Sequence, residues 1–204
     1  METWKAYRTG KITGTKADIA VPKRGGSERI GFYELIAERL SVSDADFGGY
    51  VPNETPMDRG TRLQKYAVDR FRKEMGKGAS ENLVIWVRDD NQSIAVSPDA
   101  VVSDTEAVET KCLSSARHVE AYLTNEVPDE YKRQCLQYFV VNDLLKQLHL
   151  CFFDPRIPCK AFFYLTINRE ECEEKLGETP EKALIQQMIK LEAVDNAVAR
   201  MSNF

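Results

Sequence analysis

The sequence predicts an α/β fold, a mixed β-sheet flanked by helices and built as a single domain over residues 1–204. Three observations predict it. Short runs rich in β-branched and apolar residues at 83–87, 93–97, 107–111, 148–153 and 161–167 read as strands. Stretches near 32–40, 58–75, 130–147 and beyond Pro180 carry apolar side chains at helical spacing. No internal repeat, low-complexity tract or long linker separates these elements, and a chain of 204 residues can bury one substantial core without staples.

The elements follow in order. Val21-Pro-Lys-Arg-Gly-Gly26 is the best loop signal. It precedes an amphipathic helix at 32–40 with Leu35, Ile36 and Leu40 as the packing set. A second helix runs from about Asp58 to Met75, with Gly60, Gln64, Ala67 and Phe71 recurring on one stripe and placing a polar glutamine on or beside it. The strands at 83–87, 93–97 and 107–111 read as a short meander. Asp129 can N-cap a helix that continues to about Gln147 and sets Gln134 and Gln137 on neighbouring positions of one face. Two more strands flank Asp154-Pro-Arg-Ile-Pro158. Thr179 and Pro180 then form an N-cap and N1 pair for a last helix with the stripe Leu184, Met188, Leu191 and Val194, which can dock on the sheet or on another subunit.

Composition narrows the classes of function. The start of the chain is polar with no apolar signal core, and no apolar run reaches membrane-spanning length, so a cytoplasmic protein is expected. Five cysteines, odd in number and without a C-x-x-C pair, and only two histidines favour reduced thiols over zinc or an iron–sulfur cluster. A net charge of -4 argues against a protein that coats nucleic acid indiscriminately. Residues 1–30 nevertheless hold seven basic residues (Lys5, Arg8, Lys11, Lys16, Lys23, Arg24 and Arg29) against three acidic ones. That pattern suits either a focused DNA grip or an ordinary solvated segment.

The most informative stretch is 97–112. It carries Asp99 in a Ser-Pro-Asp turn, then Glu109-Thr110-Lys111 in an alternating strand that projects Glu109 and Lys111 from one face. Phosphodiester cleavage needs an activated water, a metal that lowers its pKa and a cation near the phosphorus. Asp99 and Glu109 are hard ligands suited to Mg²⁺, Thr110 points away and leaves its backbone carbonyl for the metal, and Lys111 can orient the nucleophile or stabilise charge. The bland alternative is a surface turn followed by a solvated strand with an ion pair. Glu130-Tyr-Lys132 and Glu173-Glu-Lys175 repeat the E-x-K spacing without that setting.

With these motifs in view, most of the chain resembles the lambda-exonuclease, or YqaJ-type, family of phage recombination nucleases within the PD-(D/E)xK superfamily. Ser97-Pro-Asp-Ala100 is similar to the family's S-P-D-G and Glu109-Thr-Lys-Cys112 to its E-x-K-C. Trp4, Arg8, Gly10, Ile12 and Thr13 resemble its N-terminal segment, Tyr131-x-x-Gln134 its tyrosine–glutamine motif, and Phe153-Asp-Pro-Arg156 its Y-D-P-R. Gly60, Gln64, Ala67 and Phe71 match its helix motif, except that Gln64 stands where the family has a metal-site glutamate. Ala100 replaces a glycine, a change that matters if the turn needs positive φ.

The resemblance implies a restriction-endonuclease-like fold and a Mg²⁺-dependent 5′→3′ exonuclease, with Mn²⁺ as a substitute. Such an enzyme degrades one strand of linear duplex DNA from a 5′-phosphorylated end, releases mononucleotides and leaves 3′ tails for recombination. It further implies that Arg8, Thr15 and Arg24 hold the terminal phosphate, that Arg117 contacts DNA, and that Gln134 positions water or the scissile phosphate beside Asp99, Glu109, Lys111 and Gln64. A ring-shaped homotrimer and a single-strand annealing partner come with it as expectations. Two rivals stand: a related endonuclease or repair nuclease of the same superfamily, and a DNA-end-binding protein weakened through Gln64.

Overall fold

The computed structural model describes residues 9, 11–42, 53–81 and 84–202. Its helices are α1 (Ile30–Leu40), α2 (Pro56–Met75), α3 (Ser115–Thr124), α4 (Asp129–Val141), the short α5 (Cys172–Leu176) and α6 (Pro180–Ser202). Its strands are β1 (Trp86–Arg88), β2 (Asn91–Val96), β3 (Ala100–Ser103), β4 (Glu106–Lys111), β5 (Gln147–Phe153) and β6 (Phe162–Asn168). β1 and β2 form an antiparallel ribbon, and the larger sheet has the order β3-β4-β5-β6. β5 is the most apolar strand, with every residue from Leu148 to Phe153 buried, as an interior strand requires. Among the described residues no helix is long and apolar enough to cross a membrane.

Contacts cluster into two units. The first comprises Met1–Lys77, Thr110–Glu126 and Cys151–Leu165. Here α1 buries Tyr33 and Ala37 against Val119 of α3 and Ile157. Gly31 lets the preceding 3₁₀ segment Gly14–Ala20 approach: a Cβ at Gly31 would lie 2.5 Å from Ile19 Cγ2. α2 starts earlier than its apolar stripe indicates, because Thr55 and Asp58 cap each other reciprocally and Pro56 fills the first turn. It stops at Gly76, whose φ of 62° closes the helix in the left-handed region. Leu63, Ala67, Val68 and Phe71 form its fully buried face.

The deepest polar feature of this unit is Asp154, which is completely buried. It accepts hydrogen bonds from Arg59 Nη2 (2.8 Å), Arg156 Nε (2.8 Å) and Ser115 Oγ (2.6 Å). The same guanidiniums donate onward to main-chain carbonyls, Arg59 to Cys112 and Leu113 and Arg156 to Leu113. One carboxylate thereby pins the segment that follows β4.

The second unit comprises Gly78–Glu109, Val127–Leu150 and Thr166–Phe204. β3 and β4 make a hairpin with Ala100 opposite Val108 and Val101 opposite Ala107. α4 is its core helix and buries Cys135, Leu136, Tyr138, Phe139, Val140 and Val141. Arg169 fastens the end of α4 by donating to the carbonyls of Phe139, Asn142 and Leu145. α6 meets α4 through Gln187 and Gln137, 2.6 Å apart, and is exposed from residue 192 onward.

Several sequence expectations need correction. The meander is two separate pairings, because β3, a four-residue strand absent from the sequence reading, takes β4 into the larger sheet. α3 also went unread. α4 ends at Val141 instead of 147, because the following residues turn at Asn142, whose side chain accepts from the Leu144 amide, before β5 begins. Pro128, not Asp129, is its N-cap. In α1 the buried pair is Tyr33 and Ala37, while Leu40 is exposed; in α6 Met188 and Val194 are exposed. All five cysteines are free thiols, as expected.

Candidate active site

Within the second unit the side chains of 97–109 and α4 converge. Asp99 follows the buried Pro98 in the turn between β2 and β3 and is half-buried. Ala100 sits in β3 and is not among the positive-φ residues, so alanine fits where the resemblance led to a glycine. Glu109 lies near the end of β4 with its carboxylate almost wholly buried at 3% exposure. A buried carboxylate must be hydrogen-bonded, and α4 supplies the partners. Gln134 Nε2 donates to Glu109 Oε1 at 2.7 Å, and the hydroxyl of Tyr138, one helical turn on, donates to Oε2. The Tyr138 oxygen also lies 3.1 Å from the Ser97 carbonyl, at the head of the Ser-Pro-Asp turn.

The electrostatics agree with that convergence. Burial pushes the Tyr138 phenol well above its ordinary pKa, and the charge and hydrogen bond of Glu109 and the charge of Asp99 push it further in the same direction. Tyr138 is therefore a neutral donor at any working pH. Both histidines are buried: His118 Nε2 lies 2.8 Å from the Lys160 carbonyl, and His149 lies between Thr166 and Glu106. The site has carboxylates, an amide and a phenol to work with, and no imidazole.

Those donors decide what the site can hold. Among the described residues no group of three or more His, Cys, Asp or Glu side chains is gathered for a metal. Two carboxylates offer hard oxygen donors that fit a hard, mostly hydrated cation, and they do not fit a zinc centre. Thr110 and Lys111 continue β4 as its half-buried last two residues, with Lys111 on the Glu109 side of the strand alternation.

Each remaining candidate has its own surroundings. Gln64 is half-buried on α2, one position after the fully buried Leu63. Arg8 lies outside the described residues, as does the side chain of Thr15, whose backbone belongs to the 3₁₀ segment. Arg24 is exposed in a tight turn closed by Gly26 N to Lys23 O at 2.9 Å, with Gly25 at φ 107° and Gly26 at φ 88°. Arg117 stands in the first turn of α3 and pairs with Glu120. It lines a cleft of about 350 Å³ together with Lys23, Arg29, Asp18 and Glu34, and Arg24 does not.

Three residues escaped the sequence reading. Tyr138 is four positions beyond Gln134, a spacing that marks one helix face, but an aromatic residue in an apolar helix carries no polar signal of its own. Lys23 and Arg29 were counted only as local charge. The structure gathers them with Arg117, where Arg29 Nε donates to the Val21 carbonyl at 2.8 Å and its guanidinium lies 3.8 Å from Asp18.

Comparison with known proteins gives this arrangement a family. Two crystal structures of LHK-Exo, an alkaline exonuclease from Laribacter hongkongensis, align over 98% of this chain and 100% of theirs. The complex with dAMP is 24% identical with a TM-score of 0.56, and the other is 23% identical with a TM-score of 0.55. A phage-related exonuclease from Haemophilus somnus 129PT aligns over 91% of this chain and 93% of its own at 18% identity and a TM-score of 0.41. No curated protein matches. The LHK-Exo likeness carries the fold, a mixed α/β arrangement with a mixed sheet flanked by helices. The profile of the YqaJ-like viral recombinase domain matches residues 3–144, a span that includes Asp99, Glu109, Lys111 and the Gln134–Tyr138 clamp, and the chain belongs to that family.

Proposed function

We propose that this chain is a divalent-metal-dependent 5′→3′ exonuclease that degrades one strand of linear duplex DNA and releases 5′-mononucleotides. Membership of the YqaJ-like family supports a nuclease of the lambda-exonuclease type. The observation that carries the reading further is the buried Glu109 carboxylate, held on both oxygens by Gln134 and Tyr138 beside the Asp99 turn. A buried acid fixed in this way beside the turn of a second carboxylate supports a preorganised site for a hard cation.

In this reading Asp99, Glu109 and the Thr110 carbonyl hold one Mg²⁺, for which Mn²⁺ substitutes. When bound, the metal supplies a lowered water pKa and charge neutralisation at the phosphate. Lys111 presents its ammonium to the attacked phosphate or the incoming water. Gln134, already oriented by Glu109, keeps its amide oxygen for water or substrate. The motif match assigns Arg8, Thr15 and Arg24 to the terminal phosphate; the cleft of Lys23, Arg29 and Arg117, which Asp18 and Glu34 also line, offers guanidiniums for a further phosphate. LHK-Exo was crystallised with dAMP, a mononucleotide of the kind such a reaction releases. DNA ends are the substrate, and a trimeric ring and a single-strand annealing partner remain part of the proposal.

The test follows label release from a 5′-phosphorylated linear duplex, with Mg²⁺ and with chelator, comparing 5′ and 3′ labels. Metal-dependent loss of the 5′ label as mononucleotide, with the 3′ label retained, is the expected result. A second reading rests on Gln64, an amide without the charge of the family's glutamate: an end-binding protein with weakened catalysis. DNA-end binding without degradation at any metal concentration, and cleavage gained by Gln64→Glu, would select it.

A further inference from the structure

We propose that Tyr138 is a positioning residue that couples the two candidate metal-binding carboxylates to one another. Its hydroxyl reaches Glu109 Oε2 and the Ser97 carbonyl together, so one phenol joins β4 to the turn that carries Asp99. The role rests on the nuclease reading above and concerns only residues of the second unit.

The geometry explains why a tyrosine is needed. Gln134 and Tyr138 stand one turn apart on α4, and each takes one oxygen of the same carboxylate, which fixes its rotation as well as its place. Glutamine alone would leave the carboxylate free to turn about its last torsion, which is broad and soft. The phenol has one proton and two acceptors within reach. Donation goes to the charged oxygen, and the Ser97 carbonyl is the second acceptor that ties the turn to the same hydroxyl. The ring is immobile: it is fully buried, and Trp86 meets it edge-on with centroids 6.4 Å apart and planes at 82°. A residue that only filled space would need no oxygen at this point, and an oxygen buried without a partner would destabilise the core.

Tyr138→Phe removes the hydroxyl and keeps the ring, so the experiment compares it with wild-type protein and Glu109→Gln. Mn²⁺ binding to the DNA-free protein is measured by titration calorimetry, kcat and KM on a 5′-phosphorylated duplex by label release, and folding by thermal unfolding. The expected result is an unfolding temperature close to wild type, an unchanged KM for DNA, and roughly 10- to 100-fold losses in Mn²⁺ affinity and in kcat. Raised Mn²⁺ restores part of kcat. Wild-type affinity and kcat in a folded Tyr138→Phe protein overturn the proposal. If Tyr138→Phe unfolds, Gln134→Leu, which frees the other oxygen of Glu109, decides it: a loss of Mn²⁺ affinity in Gln134→Leu supports the clamp, and wild-type affinity in it refutes the clamp. Wild-type protein that binds Mn²⁺ but cleaves no DNA removes the nuclease reading and leaves Tyr138 to the affinities. No Mn²⁺ uptake by wild-type protein overturns both.

Discussion

Asp154→Asn is expected to be among the most damaging single substitutions in the first unit, and the structure sets its size. Asp154 is wholly buried and faces two guanidiniums that are themselves only 11% and 29% exposed, Arg59 and Arg156. Asparagine keeps one acceptor oxygen but turns an NH₂ group toward donors and leaves both cations without their counter-charge. Each hydrogen bond to a charged group is worth about 1.5–3 kcal/mol, but bonds that share one acceptor do not add. Removal of one member of a buried ion pair costs about 3–5 kcal/mol, the figure to expect here. For a chain of this length that is a fall in unfolding temperature of roughly 6–20 °C.

The pH dependence is a second arm of the same test. Burial pushes the Asp154 carboxyl up, but hydrogen bonds from Arg156 and Ser115 and the charges of Arg156 and Arg59 outweigh it and hold the group below its ordinary value of 3.8. A folded pKa lower than the unfolded one contributes stability above pH 3.8 that drains away as pH falls through the folded value. The gap between wild type and Asp154→Asn should therefore be full at pH 7 and close only under strong acid. Urea unfolding across pH 7 to 3 measures it. A gap below about 1 kcal/mol at pH 7 would refute the assigned network, as would a gap already closed at pH 5.

Other outcomes are equally specific. Asp99→Ala and Glu109→Gln should abolish cleavage while DNA affinity persists, measured by label release and by gel shift; turnover in either variant would dismiss the site. Arg8→Ala and Arg117→Ala should lower the preference for phosphorylated over hydroxyl 5′ ends, read as the ratio of the two kcat/KM values, and equal losses on both would make them general contacts. A thiol reagent at neutral pH should modify the exposed Cys159 first and spare Cys135, Cys151 and Cys172 until the chain unfolds, as mass spectrometry reports. Burial pushes the Cys172 thiol up to about 12, which leaves it almost no thiolate.

The parts of this architecture that could be read from sequence are those with a local physical signature. The stripe Ala67, Phe71 and its neighbours announced α2, and the unbroken apolar run at 148–153 announced an interior strand. β3 gave no such sign: Ala100–Ser103 is four residues long, and its hairpin turns through Asp104 and Thr105 with no glycine to mark it. α3 opens with a Ser114 cap that accepts from the Arg117 amide, a signal present in the sequence but overshadowed by the motif before it. At the candidate site the two carboxylates were legible because acidic residues at motif spacing stand out. Their supports were not, since Tyr138 in an apolar helix reads as core, and only the register of α4 against β4 turns its hydroxyl into a partner of Glu109.

The clamp on Glu109 also bears on how the site ranks cations. A carboxylate already frozen by two donors loses little further freedom when an ion arrives, so ordering it is completed during folding and not during binding. The same rigidity removes the side chain's ability to swing from one-oxygen to two-oxygen coordination, the adaptability on which the larger Ca²⁺ depends. In the proposed metal site a fixed Glu109 would therefore disfavour large cations through immobility of the ligand, and α4, which contributes no carboxylate of its own to the clamp, would set the size of ion accepted.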